Sequence, residues 1–198
     1  MLRGYHSFIV QIPEKYRQSF KTESGVEIHA SRQFSLKRVA NTVVTCTAVP
    51  FGYQGPVKDG MTVLIDPTIL SWQFYTKGGE QPNINLIDRH NHLYKVDPSM
   101  LIAYQEKGEW KAHNDNILLT KIIAEEKTMA SRLIVHPRGR QNYEIPSLGK
   151  VFICPDDIGI APEDKVYYRD WTKVEMFIDG TKPVIWVRTR DIFAKLSA

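Results

Sequence analysis

The fold class predicted by the sequence is all-β: two tandem, partly open β-barrels with long mobile loops. Three observations lead there. Short runs of β-branched and aliphatic residues recur along the chain, bounded by Gly, Pro, Asn and Asp, and little of the sequence carries a helical period. The runs of the first half return, in the same order, in the second. In each half a long polar stretch separates the first run from the second.

Taken in order, Ser7-Phe8-Ile9-Val10-Gln11-Ile12 reads as the opening strand. Asn116-Ile117-Leu118-Leu119-Thr120-Lys121 restates it, with Phe8 against Ile117 at an offset of 109. Val43-Val44-Thr45-Cys46 is matched by Val151-Phe152-Ile153-Cys154, an offset of 108 that makes the two cysteines equivalent. Met61-Thr62-Val63-Leu64-Ile65 returns as Asp164-Lys165-Val166-Tyr167-Tyr168, at an offset of 103. The segment Tyr94–Ala103 returns as Ile185–Ala194, at an offset of 91. The offset shrinks because the first copy carries longer loops at Phe51–Val57 and Ser71–His92. The copies therefore span 1–106 and 110–198, with Gln105–Lys111 as a short polar hinge around Gly108. Short strands with Gly/Pro turns suit a small sandwich or a barrel, and a barrel is the more economical because closure removes exposed edges.

The 198 residues are 42% hydrophobic and 24% charged, an ordinary soluble composition with room for one domain or two small ones. No run of eighteen apolar residues is present and Met1–Ser7 has no apolar core, so neither a membrane span nor a secretion signal is expected. A cytoplasmic protein is the expectation. The formal charge of +4 is mild. Only Arg132, His136, Arg138 and Arg140 look like a basic patch, with a weaker one at Arg32, Lys37 and Arg38. Cys46 and Cys154 read as reduced, buried thiols. His90 and His92 lack companion ligands, so no metal and no cofactor are expected.

The stretch Glu125–Gly149 has no period of its own. Leu133-Ile134-Val135 forms an apolar islet inside it, and the first copy has a counterpart in Val26-Glu27-Ile28. Each aliphatic is worth roughly 1.5–3 kcal/mol when buried, so such an islet either folds back on its own domain or meets a partner. No nucleophile–base set, phosphate loop or zinc-protease motif can be assembled, and no catalytic residue is expected. Trp72, Trp110, Trp171 and Trp186 suit core or interface positions, and Trp186 alternates with Ile185 and Val187 so as to point the other way.

The second copy resembles the GroES-like co-chaperonins, the small β-barrel lids of chaperonin cages. Asp115-Asn116-Ile117-Leu118-Leu119 is similar to that family's opening strand, and Leu133-Ile134-Val135 to its mobile-loop tripeptide. Gly149-Lys150-Val151 resembles the start of its next strand, Glu163-Asp164-Lys165-Val166 its Gly-Asp-x-Val turn, and Asp191-Ile192-Phe193-Ala194 its closing Asp-Ile-x-Ala. Asp59-Gly60-Met61-Thr62-Val63 and Met100-Leu101-Ile102-Ala103 carry the likeness in the first copy. The sequence departs from the family in Glu27 within the first islet, in Glu163 at the turn glycine, and in the missing roof hairpin between Pro155 and Ala161.

The resemblance implies a non-enzymatic cap for a GroEL-like chaperonin, held through Leu133, Ile134 and Val135, with Val26 and Ile28 in the first copy. It also implies a homo-oligomeric ring in which first strands pair with last strands. The pairing segments are then Phe8, Ile9 and Val10 with Ile192 and Phe193 between chains, and Leu101 and Ile102 with Ile117, Leu118 and Leu119 within one. Two copies per chain conflict with the family's sevenfold ring, so the expectation is one copy in the ring with the other stacked above, or broken symmetry. A nucleic-acid-binding barrel and a viral structural subunit are the alternatives. No membrane partner is expected, and nucleic acid is the less favoured one.

Overall fold

The computed structural model describes residues 4–17, 19–21, 27–29, 39–71, 75–76, 79–80, 83–125, 142–156, 158–178 and 182–196. The strands of the first half are β1 (Phe8–Gln11), β2 (Ser19–Lys21), β3 (Glu27–His29), β4 (Val43–Ala48), β5 (Thr62–Ile65), β6 (Tyr75–Thr76), β7 (Gly79–Glu80), β8 (Leu86–Asp88), β9 (Leu93–Val96), β10 (Leu101–Glu106) and β11 (Glu109–Ala112). Those of the second half are β12 (Asn116–Glu125), β13 (Asn142–Ile153), β14 (Lys165–Tyr168), β15 (Val174–Ile178), β16 (Lys182–Arg188) and β17 (Ile192–Lys195). The fold is all-β. Its strands form two antiparallel sheets, in spatial order β11-β10-β5-β4-β1-β9-β8 and β15-β16-β12-β13-β14-β17, and β2-β3 and β6-β7 are separate small hairpins.

Leaving β11 aside, the two sheets share one topology. The first runs β10-β5-β4-β1-β9-β8 and the second β17-β14-β13-β12-β16-β15, strand for strand. The registers agree as well. Phe8 opposes Val96 as Ile117 opposes Val187. Val44 opposes Val63 as Gly149 opposes Val166. Tyr104 opposes Val63 as Lys195 opposes Val166. Even the irregularities repeat, at Ile9/Val10 and again at Leu118/Leu119. Such irregularities re-aim a strand, so their recurrence at equivalent positions gives the two sheets the same local geometry.

The offsets of 109, 103 and 91 are those of the paired strands. The offset of 108 is not. Val10 opposes Cys46 and Leu119 opposes Val151, so Cys46 is equivalent to Val151 at an offset of 105. A slip of three residues reverses which face a side chain takes. Cys46 lies in the first core, while Cys154 lies past the end of β13, where its Sγ–H donates to the Ile160 carbonyl at 3.3 Å.

Alternation then builds two equivalent cores. Phe8, Val10, Cys46, Val63, Ile65, Tyr94 and Val96 fill the inner face of the first sheet. Ile117, Leu119, Val151, Val166, Tyr168, Ile185 and Val187 fill the same seven positions in the second. Volume is exchanged between neighbours. Tyr168 replaces Ile65, and Gly149 replaces Val44; a Cβ on Gly149 would lie 3.4 Å from the Tyr168 ring and 3.0 Å from Leu119. The first core gains a floor from Ile12, Ala40, Ile69 and Leu70. The amide of Asn83 holds this floor by donating to the carbonyls of Ile69 at 2.7 Å and Leu70 at 3.1 Å.

The segment Gln105–Lys111 is a hairpin, not a hinge. Lys107 and Gly108 have φ of 51° and 88°, the pair of positive values that a tight two-residue turn requires. It folds β11 back onto β10, so residues 109–112 belong to the first sheet rather than to the second copy. This corrects the expected pairing of Leu101–Tyr104 with Ile117–Leu119. β10 is flanked by β5 and β11, and β12 by β13 and β16, so neither has a free hydrogen-bonding edge for the other. The Phe8–Val10 strand is likewise enclosed, by β4 and β9. Of the expected pairing strands, only that of Ile192 and Phe193 lies at a sheet edge. The copies meet sheet against sheet, through Leu64, Ile102 and Ala103 on one side and Leu118, Ile153 and Trp186 on the other.

Gly60 and Glu163 occupy the same turn, with φ of 86° and 76°. The left-handed region costs a non-glycine residue about 1–2 kcal/mol. Nothing lies within 4 Å of a Cβ built on Gly60, so backbone strain alone decides a substitution there. Gly60→Glu is expected to lower the unfolding free energy by about 1–2 kcal/mol. Glu163→Gly should leave it level or raise it by up to about 1 kcal/mol, the gain being reduced by chain entropy and the lost contact with Lys150. Urea melts of both variants check this, and a neutral Gly60→Glu would contradict it.

Candidate functional site

Two regions stand out: the segments between the first and second strands of each copy, and the contact between the sheets. β12 and β13 outrun the rest of their sheet and form a two-stranded stem, paired as far as Ile123 with Glu144, Ala124 with Tyr143 and Glu125 with Asn142. The linking segment is thus residues 126–141, shorter than Glu125–Gly149, because Asn142–Gly149 is strand. The stem is anchored at its base, where Lys121 Nζ donates to Glu175 Oε1 of β15 at 2.9 Å. Nearer its tip Ile123 is exposed.

Leu133, Ile134 and Val135 lie outside the described residues, as do Val26 and the basic positions Arg132, His136, Arg138 and Arg140. Ile28 lies in β3, opposite Phe20 of β2. This hairpin stands between β1 and β4, the place that 126–141 takes between β12 and β13. The two islets therefore share one topological position.

The contact between the sheets brings together Ile102 and Leu118, two of the residues expected to meet within the chain, through sheet faces rather than paired strands. Leu64, Ile102 and Ala103, on the outer face of β5 and β10, are buried against Leu118, Ile153, Met176, Ile178, Val184 and Trp186. Trp186 points away from its own core, as its alternation implies, and the other sheet covers it. Its Nε1–H donates to Asn116 Oδ1 at 2.9 Å. Asn116 Nδ2 donates to the carbonyls of His113 at 2.6 Å and Leu101 at 3.1 Å. His113 is buried beside it, with Nδ1 3.2 Å from the Leu101 carbonyl and Nε2 3.3 Å from the Tyr53 hydroxyl. The backbone N–H of His113 donates to the Ile102 carbonyl at 2.9 Å. The sequence signal for this polar cluster is a polar residue opening an apolar strand at Asn116-Ile117-Leu118-Leu119.

Burial sets the electrostatics here. It holds the His113 imidazole below its ordinary pKa, against a smaller opposing effect of the Leu101 carbonyl. It pushes the Cys46 thiol up to about 11, with Asp59 adding to the rise, which makes that thiol a poor nucleophile. Asp164 is held low by its hydrogen bond with Lys195 at 2.6 Å, which ties the β14 turn to β17. Trp171, in the turn after β14, is 82% exposed. No described helix is long and apolar enough to cross a membrane.

In comparisons with known proteins, no family model matches the chain and no curated protein matches it. The functional reading therefore rests on the chain's own residues and on the resemblance they carry.

The His113 shift yields a pH dependence. The folded-state pKa lies below the unfolded value of about 6.5, so the unfolded chain binds the proton more readily. The stabilisation is complete above that value and is lost as pH falls through and below it. Unfolding free energy measured between pH 7.5 and 5 is expected to fall on the acid side, and the His113→Gln chain should show a flatter profile over that window. Parallel profiles for the two chains would contradict the assignment.

Proposed function

We propose that the chain is a co-chaperonin, a non-catalytic cap built from two GroES-like, partly open β-barrels, which closes a GroEL-like chaperonin and assists ATP-dependent folding with the ATPase residing in the partner. The observation that carries this reading is positional. Each copy inserts its long segment between its first and second strands, the place where the resemblance expects a mobile loop. In the second copy that segment carries Leu133-Ile134-Val135 and leaves a stem with an exposed Ile123 near its tip. In the first copy Glu27 interrupts the islet, so the second copy supplies the main contact.

The energetics suit a reversible cap. Three aliphatics offer roughly 5–8 kcal/mol if fully buried. Ordering four or five loop residues costs about 1–2 kcal/mol each, so one loop nets close to nothing. Several loops on one assembly gain avidity and still release together when the partner changes state.

The test is co-migration of the chain with a chaperonin in the presence of nucleotide. Ile134→Asp should abolish the complex, because a carboxylate in an apolar groove costs at least a few kcal/mol at each loop. Ile28→Asp should weaken it far less. Melting temperatures of both variants separate binding from folding: a strongly lowered value for Ile134→Asp would make the islet core and overturn the reading. Normal melting with undiminished binding would move the contact elsewhere.

A further inference from the structure

The internal repeat makes the sheet contact directional. The first copy contributes the outer face of β5 and β10, and the second the outer face of β12, β13, β15 and β16. These are different faces of equivalent units. One of each is therefore left over, at opposite ends of the chain. The β14–β17 face of the second copy is equivalent to the buried face of the first, and the β1–β8–β9 face of the first is equivalent to the buried face of the second.

Each leftover face keeps large apolar residues at or beside several of the equivalent positions. Ile102, fully buried in the chain, corresponds to Phe193, which is 62% exposed and stacks on Tyr167 at 5.9 Å. Tyr167 corresponds to the buried Leu64. On the other side Met176, 2% exposed, opposes Val184, and the equivalent pairing is Asp88 with Leu93, across an irregularity in β8 that holds Ile87, 44% exposed. The centre of that face, Ile9 and Ala48, is already covered, and the turn at Gly4 lies against Ile9. Beside it Tyr5 and Phe51 stack at 6.4 Å with both rings exposed.

The polar positions follow the same mapping. Arg188 Nη2 lies 3.5 Å from the Ser99 carbonyl across the internal contact. The equivalent residues are Asp97 and Arg190, both exposed and of opposite charge. Trp186, buried in the same cluster as Ile102, corresponds to Lys95, a cation suited to the face of the Phe193 ring. Asn114 touches the Pro98 carbonyl at 3.4 Å, and its counterpart is Tyr5.

We propose that a second copy of this chain docks on the β14–β17 face through its β1–β8–β9 face, repeating between chains the contact already made within each. Phe193 and Tyr167 then meet Ile87, Lys95 and the Tyr5–Phe51 pair, and Arg190 meets Asp97. The contact is head-to-tail, so it propagates and closes into a ring when the rotation allows. Every chain adds two sheets, so the assembly holds an even number of them. This rests on the proposed function only in supplying the assembly that its several loops require, and its test uses the chain alone. Assembly without capping would remove the chaperonin partner and retain this contact.

The test is sedimentation of the wild-type chain and two variants, with circular dichroism confirming that both fold. Phe193→Lys sets a cation against Lys95, and Ile87→Asp places a charge in the opposing face. The wild type should sediment as a multimer, and each variant alone as a single chain of 22.8 kDa. Mixed in equal amounts, the variants should form a dimer of twice that mass, because each retains the face the other has lost. A single-chain mass for the wild type at tens of micromolar would overturn the proposal. So would wild-type assembly by Phe193→Lys, or a mixture that remains at the single-chain mass.

Discussion

The side-chain amide of Asn116 joins the two sheets. Its two N–H donors go to the Leu101 and His113 carbonyls, and its oxygen accepts the indole N–H of Trp186. Leu101 belongs to β10 of the first copy and Trp186 to β16 of the second, so one side chain bonds to both sheets. The Leu101 carbonyl also faces His113 Nδ1. A buried polar cluster of this kind stabilises only while every member is partnered, since an orphaned donor or acceptor costs about 1–3 kcal/mol. Around it the apolar contact of Ile102 and Leu64 with Leu118 and Trp186 supplies the burial, and the polar cluster supplies the register.

Everything else in the chain follows from having this contact between two copies of one unit. The inner faces had to remain equivalent, and they did, with volume moved between neighbours as at Gly149 and Tyr168. The outer faces were free to diverge, and did so in pairs. The face that is buried became Ile102 and Leu64, and its free counterpart became Phe193 and Tyr167. Strain was left where it could be absorbed: Glu163 retains the left-handed turn that Gly60 adopts without cost, with its carboxylate paired to Lys150.

Much of this was legible in the sequence for a physical reason. Strands with one buried face must alternate, and alternation survives divergence, so Phe8 and Ile117, Val63 and Val166, and Ala103 and Ala194 could be matched without a structure. The second strands depart from the cysteine offset of 108 because a shared cysteine is a weaker signal than a shared face. Pro50 and Pro155, just past the two strand ends, carried the correct offset. Lys107-Gly108 carries a hairpin signal as well as a hinge's polar composition, because a two-residue turn with glycine between alternating residues favours a hairpin. That Ile102 and Leu118 meet within the chain was expected, but its face-to-face form was not legible: Ile102 and Phe193 are both large and apolar, and only the packing shows that one is covered and the other is not. The islets of the loops were legible as composition alone.

The central claim is that the two sheets are one cooperative unit because they share a buried face. Differential scanning calorimetry of the chain, kept monomeric by dilution, tests it most directly. A single transition is predicted, with the calorimetric enthalpy equal to the van't Hoff enthalpy for the whole chain. Two separable transitions, each carrying about half the total enthalpy, would show that the copies fold independently and would contradict the account.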